Sequence, residues 1–226
     1  MDPRPETLAR AEGVGGEVVL RRRAGAEGSV YELIVNGIFL MDTAESSTER
    51  LLADAVPDRH AAPRRVLVGG LGLGITLAAL LTDVRVEIVD VVEIEPLLVE
   101  WLRSGLVPGV EVVLADPRVR VSVADIRDAL RDATAGTYDA VLLDVDNGPG
   151  FLVREANAAV YQAPAVRNAA RALAPGGVLA VWSAAPSATL ATTLSRLVGR
   201  LGEVVRTVER EGRPVRYHVY LARRET

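Results

Sequence analysis

The sequence predicts an α/β protein with a doubly wound, mostly parallel sheet, and three observations support this prediction. From Val66 onward, short runs rich in Val and Leu alternate with helical stretches, which is typical of a parallel sheet covered on both faces. The stretch "VLVGGLGLG" leads from an apolar strand through alternating glycines into a helix. The segments "GEVVRTVE" and "PVRYHVYLAR" follow each other without a helix, which predicts an antiparallel C-terminal hairpin.

Hydrophobic periodicity gives the expected elements of this main domain. Strands are predicted at 64–69, 84–93, 118–123, 138–145 and 177–183. Helices are predicted at about 74–82, 95–104, 125–133, 156–173 and 186–201. Every gap between two of the five strands thus contains a helix, as parallel strands require.

The N-terminal region is predicted to be a small unit of its own. Its first dozen residues look like a loose lead-in, and "EVVLRRR" and "SVYELIVNGIFLMDT" then alternate around "AGAEG", which predicts a β-hairpin. "TERLLADAV" predicts a short helix, and the Pro-bearing "PDRHAAPRR" predicts a linker. We therefore expect an N-terminal hairpin region at 1–60 and the main domain at 61–226.

Length and composition exclude several classes of function. The chain has 226 residues, a net charge of −4, no Cys and two His. This composition argues against a nucleic-acid-binding face, disulfides, a thiolate nucleophile and a metal site. No apolar run reaches the roughly 18 to 20 residues that span a bilayer, and the start lacks a signal-peptide pattern. We therefore expect a cytoplasmic protein that binds neither membrane nor metal.

The glycines after the first strand of the main domain predict a nucleotide or nucleoside site. Gly70, Gly72 and Gly74 are spaced G-x-G-x-G, in the turn of a doubly wound sheet that approaches a ligand most closely. The dinucleotide fingerprint G-x-G-x-x-G would have its third glycine at Ile75. The shorter spacing favours S-adenosylmethionine over a dinucleotide, and a role in packing alone is the alternative.

An acidic residue at the end of the second strand is the second signal. Glu93 lies nineteen residues after Gly74, where a carboxylate can accept hydrogen bonds from both ribose hydroxyls. Asp90 competes for this role from earlier in the same strand. Glu95 precedes Pro96, and capping of the next helix would explain it.

Acids at the ends of the third and fourth strands are the third signal. Asp125 is placed to accept from the exocyclic amine of adenine, and capping of a helix is the alternative. Asp144 and Asp146 lie two residues apart on extended chain, so both carboxylates project to one side. For Asp146, a role in shaping the turn "NGPG" is the alternative.

Taken together, these segments resemble the spermidine synthase (polyamine aminopropyltransferase) family of the class I S-adenosylmethionine-dependent superfamily. The resemblance covers most of residues 64 to 184, through "VLVGGLGLG", "VVEIEP", "DPRVRVSVADIRDAL", "YDAVLLDVDNGP", "AVYQ" and "RALAPGGVLAVW". It implies a Rossmann-like sheet and, as donor, S-adenosylmethionine or its decarboxylated form. It also implies a small-molecule acceptor and a homodimer.

The resemblance also implies roles for single residues. Asp144 resembles the catalytic aspartate that opens the family's D-x-x-D-P loop, and Asp146 would add negative potential near the sulfonium. Tyr161 and Trp182 are expected to form a wall of the acceptor pocket, with core packing as the alternative. Arg154 and Asn157 are expected in a lid. The residues expected to bind the donor are Gly70, Gly72, Gly74, Glu93, Ile94, Asp125, Ile126 and Asp144.

Departures from the family pattern bear on the choice of donor. Leu73 occupies the place of an aspartate that holds the cationic tail of decarboxylated S-adenosylmethionine, and Asn147 replaces the second aspartate of the D-x-x-D-P loop. Leu40 and Thr48 stand near the family's Gln and Tyr positions. Loss of a unit charge near 4 Å is worth about 4 kcal/mol at intermediate dielectric, which favours the carboxylate of ordinary S-adenosylmethionine.

Methyl transfer to a small, amine-bearing acceptor is therefore the main functional expectation. The first alternative is aminopropyl transfer from decarboxylated S-adenosylmethionine, with Glu45 replacing the missing acid. The second alternative is a non-catalytic subunit that binds a nucleoside or forms a dimer.

Overall fold

The N-terminal region forms a four-stranded antiparallel sheet in the order β1–β2–β3–β4. The computed structural model describes residues 4–26, 28–56, 60, 62–210 and 213–225. The strands are β1 (Glu6–Gly13), β2 (Gly16–Gly25), β3 (Gly28–Val35) and β4 (Ile38–Asp42). The predicted hairpin is confirmed, since β2 pairs with β3 from Val18↔Val35 to Gly25↔Gly28.

The prediction of a loose lead-in before this hairpin was wrong. β1 pairs with β2 along its whole length, and Gly16 turns the chain between them with φ 112°. As an edge strand, β1 is exposed or half-buried throughout, so its sequence lacks the apolar alternation that identifies a core strand. At the other side of the sheet, Asn36 and Gly37 have φ values of 52° and 74°, as a two-residue type I′ turn requires.

The main sheet has seven strands in the order β10–β11–β9–β8–β5–β6–β7. Its strands are β5 (Arg65–Gly69), β6 (Ile88–Glu93), β7 (Val119–Val123), β8 (Tyr138–Leu143), β9 (Leu173–Ser183), β10 (Gly199–Arg210) and β11 (Arg213–Arg224). The pairs among β5 to β9 are parallel, and β11 pairs antiparallel with β9 and β10. This arrangement confirms the predicted fold class, including the antiparallel C-terminal hairpin.

Seven α-helices and one 3-10 helix connect the strands that the structure describes. They are α1 (Ser47–Asp54), α2 (Ile75–Leu80), α3 (Pro96–Arg103), α4 (Val110–Leu114), α5 (Ile126–Asp132), the 3-10 helix Glu155–Tyr161, α6 (Ala163–Ala172) and α7 (Ala188–Leu197). The helix expected at 156–173 is divided, because Gln162 is extended (ψ 161°) and Pro164 lies in the first turn of α6. Proline suits a first turn but not a helix interior.

Both faces of the main sheet are covered. Along β5, Val66 and Val68 belong to one hydrophobic cluster and Leu67 to the other. Helices α1 to α4 and the N-terminal sheet pack in the first cluster, and α5 to α7 in the second. The N-terminal sheet therefore lies on the side of the glycine turn. Residues 57–59 and 61 lie outside the described residues, so the boundary at 60/61 stays a prediction.

None of the helices in the described part of the chain has the length and apolar character needed to cross a membrane.

Candidate functional site

A cleft lies between the carboxyl ends of the central strands and the N-terminal sheet. It encloses about 1130 Å³, a volume that includes the part open to solvent. Val18, Leu33, Leu40 and Met41 line it from the N-terminal sheet, opposite the sheet edge at which doubly wound proteins bind ligands.

The glycine turn forms one wall of this cleft. Gly70 and Gly72 line it, with φ values of 94° and 50°. A Cβ atom at Gly70 would lie 2.1 Å from the carbonyl oxygen of Asp144, so glycine is required there for close packing of two strand ends. Gly74 faces Val110 and caps α2 in the left-handed conformation, which agrees with the packing alternative for this glycine.

Glu93 is buried at the cleft, and its carboxylate holds the turn. Its Oε2 accepts a hydrogen bond from the Leu71 N–H and its Oε1 accepts one from the Glu95 N–H, both at 2.8 Å. Burial raises the pKa of Glu93, and these backbone hydrogen bonds oppose the shift. Because each carboxylate oxygen has two lone pairs, acceptor capacity remains for two ribose hydroxyls.

Asp90 and Glu95, the two acids near Glu93 in the sequence, make different contacts from those of Glu93. Asp90 accepts two hydrogen bonds from the Arg65 guanidinium, at 2.9 and 3.1 Å, in the interior of β6. Glu95 caps α3 through the Leu97 N–H at 3.1 Å, as the alternative for this residue predicted. Its other oxygen accepts from the Val14 N–H at 2.8 Å, so Glu95 also attaches the β1–β2 turn to the main domain.

Asp125 both caps a helix and lines the cleft. Its carboxylate accepts from the Arg127 N–H at 2.8 Å and pairs with the Arg127 guanidinium. That guanidinium lowers the pKa of Asp125, so the group is a carboxylate at neutral pH. Ile94 and Ile126 line the cleft beside it and offer apolar surface to a flat base.

Asp144 is a half-buried acid at the end of β8. Its Oδ2 accepts a hydrogen bond of 2.7 Å from the Thr76 hydroxyl. Burial raises the pKa of Asp144 to about 6, and the Thr76 hydrogen bond works against that shift. A carboxyl group with such a pKa can gain and release a proton near neutral pH.

Asp146 organises the loop that follows β8, which agrees with its turn-shaping alternative. Its carboxylate accepts from the backbone N–H groups of Asn147, Val153 and Arg154, at 2.8, 2.7 and 3.2 Å. It also accepts from the Asn157 amide at 2.8 Å. Asp146 has φ 62°, a conformation that Asp tolerates better than most residues.

The two aromatic residues expected in the acceptor pocket have different positions. Trp182 lines the cleft and stacks on Tyr217, with ring centroids 5.3 Å apart. Tyr161 packs in the second hydrophobic cluster, and its hydroxyl donates to the Val145 carbonyl behind the loop. The expectation that Tyr161 forms the pocket wall is therefore corrected to core packing, because its hydroxyl is bound by that carbonyl.

Glu49 is a cleft residue that sequence reasoning missed. Its side chain is 5% exposed, lines the cleft and accepts a 2.7 Å hydrogen bond from the Thr48 hydroxyl. Glu45, the expected substitute acid, instead accepts from the Ser47 N–H at 2.8 Å at the start of α1. The sequence does contain one signal for this position. Glu49 precedes Leu52 and Ala53 at helical spacing, which places all three residues on the buried face of α1.

The charges at the cleft are mostly negative. Among the described residues that line it, Arg154 is the one with a positive charge, and it belongs to the loop 146–157 that was expected to form a lid. Within the same described residues, no group of three or more acidic or histidine side chains is placed to hold a metal ion. The acidic residues that line the cleft are Glu49, Glu93, Glu95, Asp125, Asp144 and Asp146.

Comparison with known proteins matches most of the chain to one family. Residues 45–209 match the family model of the spermine/spermidine synthase domain. A solved spermidine synthase in complex with the transition-state analogue AdoDATO has a TM-score of 0.83 and 18% identity. That superposition covers 96% of this chain and 73% of the other chain.

Curated relatives match over shorter segments. Spermine synthase of Arabidopsis thaliana is 30% identical over 148 residues, 65% of this chain and 40% of that protein. Spermidine synthase 1 of Hyoscyamus niger is 36% identical over 117 residues, 52% of this chain and 35% of that protein. Putrescine N-methyltransferase 3 of Nicotiana tabacum is 33% identical over 117 residues, 52% of this chain and 29% of that protein. The chain thus spans 40% or less of the length of these three relatives.

Proposed function

Because the chain belongs to the spermine/spermidine synthase family, we propose that it transfers an aminopropyl group from decarboxylated S-adenosylmethionine to a small aliphatic diamine. Residue 73 led the sequence analysis to favour methyl transfer, whereas the family and its spermine and spermidine synthase relatives support the alternative. The observation that carries the proposal is the acidic cleft, in which buried carboxylates face a donor and an acceptor that are both cationic. Buried carboxylates are stable only when cations or hydrogen-bond donors accompany them.

The nucleoside part of the donor fits the cleft near the glycine turn. Glu93 would accept hydrogen bonds from the ribose hydroxyls with the lone pairs that its backbone donors leave free. Asp125 would accept from the adenine amine, while Ile94 and Ile126 would cover the base. These contacts would bind and orient the donor. The reaction itself would take place in the part of the cleft that contains Asp144.

Asp144 would accept the proton that the reaction releases. The acceptor nitrogen attacks the propyl carbon that is bonded to sulfur, and the C–S bonding pair goes to the sulfonium, which becomes a neutral thioether. Before the attack, the reacting ammonium gives one proton to the Asp144 carboxylate, because only the neutral amine has the lone pair that forms the new C–N bond. The products are an N-aminopropylated amine and 5′-methylthioadenosine. In-line positioning supplies most of the acceleration, and a positioned base contributes roughly 10²- to 10⁴-fold.

A direct comparison of donors tests the proposal. The protein is incubated with putrescine and either decarboxylated or ordinary S-adenosylmethionine, and nucleoside products are separated chromatographically. We expect 5′-methylthioadenosine from the decarboxylated donor and little S-adenosylhomocysteine from the other. Asp144→Asn should lower turnover by roughly 10²- to 10⁴-fold while 5′-methylthioadenosine binds nearly as tightly. Binding of neither donor would support the non-catalytic alternative.

Methyl transfer to an amine remains the second candidate because of Leu73. This residue is 1% exposed within a hydrophobic cluster, and its N–H faces the Met41 sulfur at 3.3 Å, so it gives the donor's amine no acceptor. The similarity to a putrescine N-methyltransferase agrees with this candidate. S-adenosylhomocysteine and an N-methylated amine as the sole products would establish it and overturn aminopropyl transfer.

A further inference from the structure

The guanidinium of Arg154 has a buried donor that nothing in the described part of the chain satisfies. Arg154 lines the cleft, and its Nη1 is buried without a hydrogen-bond partner among the described residues. A buried N–H group without an acceptor is costly, and the cost is higher when the group is charged. A ligand in the cleft that offers an acceptor atom would remove this cost.

The Arg154 side chain is held in position at both of its ends. The Asp146 carboxylate accepts a hydrogen bond of 3.2 Å from the Arg154 backbone N–H, which fixes the start of the side chain. The far end lies against the β1–β2 turn, since a Cβ atom added at Gly15 would lie 2.4 Å from the Arg154 Nε. The turn is fixed in its own sheet, because the Gly15 carbonyl accepts from the Asn36 amide at 2.7 Å. The guanidinium is therefore placed in the cleft before any ligand binds.

Arg154 lies near the end of the cleft that is proposed to hold the base. The pKa of Asp125 is lowered first by its hydrogen bond with the Arg127 guanidinium, and the positive charge of Arg154 adds to that shift. Asp125 and Arg154 both line the cleft, as do Ile94 and Ile126. A carboxylate and an unpartnered N–H donor thus lie near each other beside the apolar surface that would cover the base.

This pair matches one edge of adenine. The exocyclic amine of adenine is a donor, and a ring nitrogen that accepts lies next to it. A carboxylate suits the amine, and an Arg N–H group suits the ring nitrogen. The charge of the guanidinium makes such a hydrogen bond stronger than one from a neutral donor.

We infer that Nη1 of Arg154 donates a hydrogen bond to a ring nitrogen next to the exocyclic amine of adenine. Arg154 and Asp125 together would then select adenine by one donor and one acceptor. This inference rests on the proposed function, because it concerns the adenosine part of the donor. Arg154 is thus a binding residue on the loop over the cleft, and it takes no part in the transfer itself.

The test is calorimetry with 5′-methylthioadenosine and its 1-deaza and 7-deaza forms. Each deaza form replaces one of the two ring nitrogens that flank the amine by C–H. We expect the wild-type protein to bind one of the two deaza forms roughly 10- to 100-fold more weakly than 5′-methylthioadenosine. Arg154→Met removes the guanidinium and keeps an unbranched stem. It should bind 5′-methylthioadenosine more weakly by a similar factor, with no further loss for that deaza form.

Arg103→Met is the matched control, because Arg103 is exposed at the end of α3. This variant should keep the wild-type affinities for all three nucleosides.

The outcomes separate the inference from the function on which it rests. If the wild-type protein binds none of the three nucleosides, both the proposed function and the role of Arg154 fail. If it binds them and Arg154→Met loses as much affinity for the deaza form as the wild-type protein does, the role of Arg154 alone fails. Equal affinities of the wild-type protein for all three nucleosides would also overturn that role, and this check does not depend on the folding of a variant.

Discussion

The hydroxyl of Thr76 donates a 2.7 Å hydrogen bond to Oδ2 of Asp144. This hydrogen bond connects the first turn of α2, which directly follows the glycine turn, to Asp144 after the end of β8. Asp144 is half-buried. Desolvation raises its pKa to about 6, and the Thr76 hydrogen bond holds that pKa below the value that desolvation alone would give. Helix α2, which follows the glycine turn, therefore lowers the pKa of the proposed base.

Thr76→Val should shift the pH dependence of the reaction upward. A base must be ionised to accept a proton, so kcat/KM should fall as pH drops through the pKa of Asp144, near 6 in the wild-type protein. Without the hydroxyl that pKa rises, and the loss of activity begins at higher pH. Val has nearly the same shape, so the buried site keeps its packing.

The measurement is kcat/KM from about pH 5 to 8, the range in which such a group titrates. Thr76→Ser restores a hydroxyl and should return the midpoint toward the wild-type value. Superimposable profiles for Thr76→Val and the wild-type protein would show that Thr76 does not control Asp144.

Glu93→Gln should weaken the binding of every adenosine ligand to a similar extent. The amide cannot accept on its nitrogen side, so at least one hydroxyl loses a charged partner, which costs roughly 1.5 to 3 kcal/mol. Calorimetry with 5′-methylthioadenosine measures the change without any turnover. Asp90→Asn is the control, because Asp90 pairs with Arg65 inside the same strand. A larger effect of Asp90→Asn would reverse the assignment of the ribose acid.

The sequence predicted the parallel sheet and its acids because both depend on local pattern. Continuous apolar strands and the acid at each strand end are short-range features, so Glu93 and Asp144 could be identified without a structure. The role of Asp146 was left open because its hydrogen-bond donors lie up to eleven residues along the chain. That contact depends on a left-handed conformation at Asp146, which its sequence neighbours do not specify.

The location of Glu49 at the cleft could not be predicted from the sequence pattern. In sequence Glu49 is one of several acids near α1, and Glu45 was the one expected to replace the missing acid. Only the packing of α1 against α2 brings one of them to the cleft, and it leaves the other at a helix start. The edge strand β1 was missed for a related reason, since a strand with half-buried faces has no apolar alternation to detect.

Asp146→Asn should loosen the loop over the cleft more than it affects the reaction. The amide has one acceptor oxygen where the carboxylate has two, and the carboxylate serves the Val153 and Arg154 N–H groups and the Asn157 amide. We expect faster amide hydrogen exchange at residues 153–157 and a higher KM for the donor, because this loop lines the cleft. A fall in kcat with unchanged exchange would instead support the expectation that Asp146 acts through its charge.

Gly70→Ala should lower stability more than Gly37→Ala does. Both glycines have positive φ, 94° and 74°, and a side chain in the left-handed region costs about 1 to 2 kcal/mol. At Gly37 an added Cβ meets nothing within 4 Å, whereas at Gly70 it would lie 2.1 Å from the Asp144 carbonyl oxygen. The backbone of Gly70→Ala must therefore shift where residue 70 meets Asp144, at the wall of the cleft. Urea unfolding measures the free energy of both variants, and equal losses would show that strand ends β5 and β8 separate without cost.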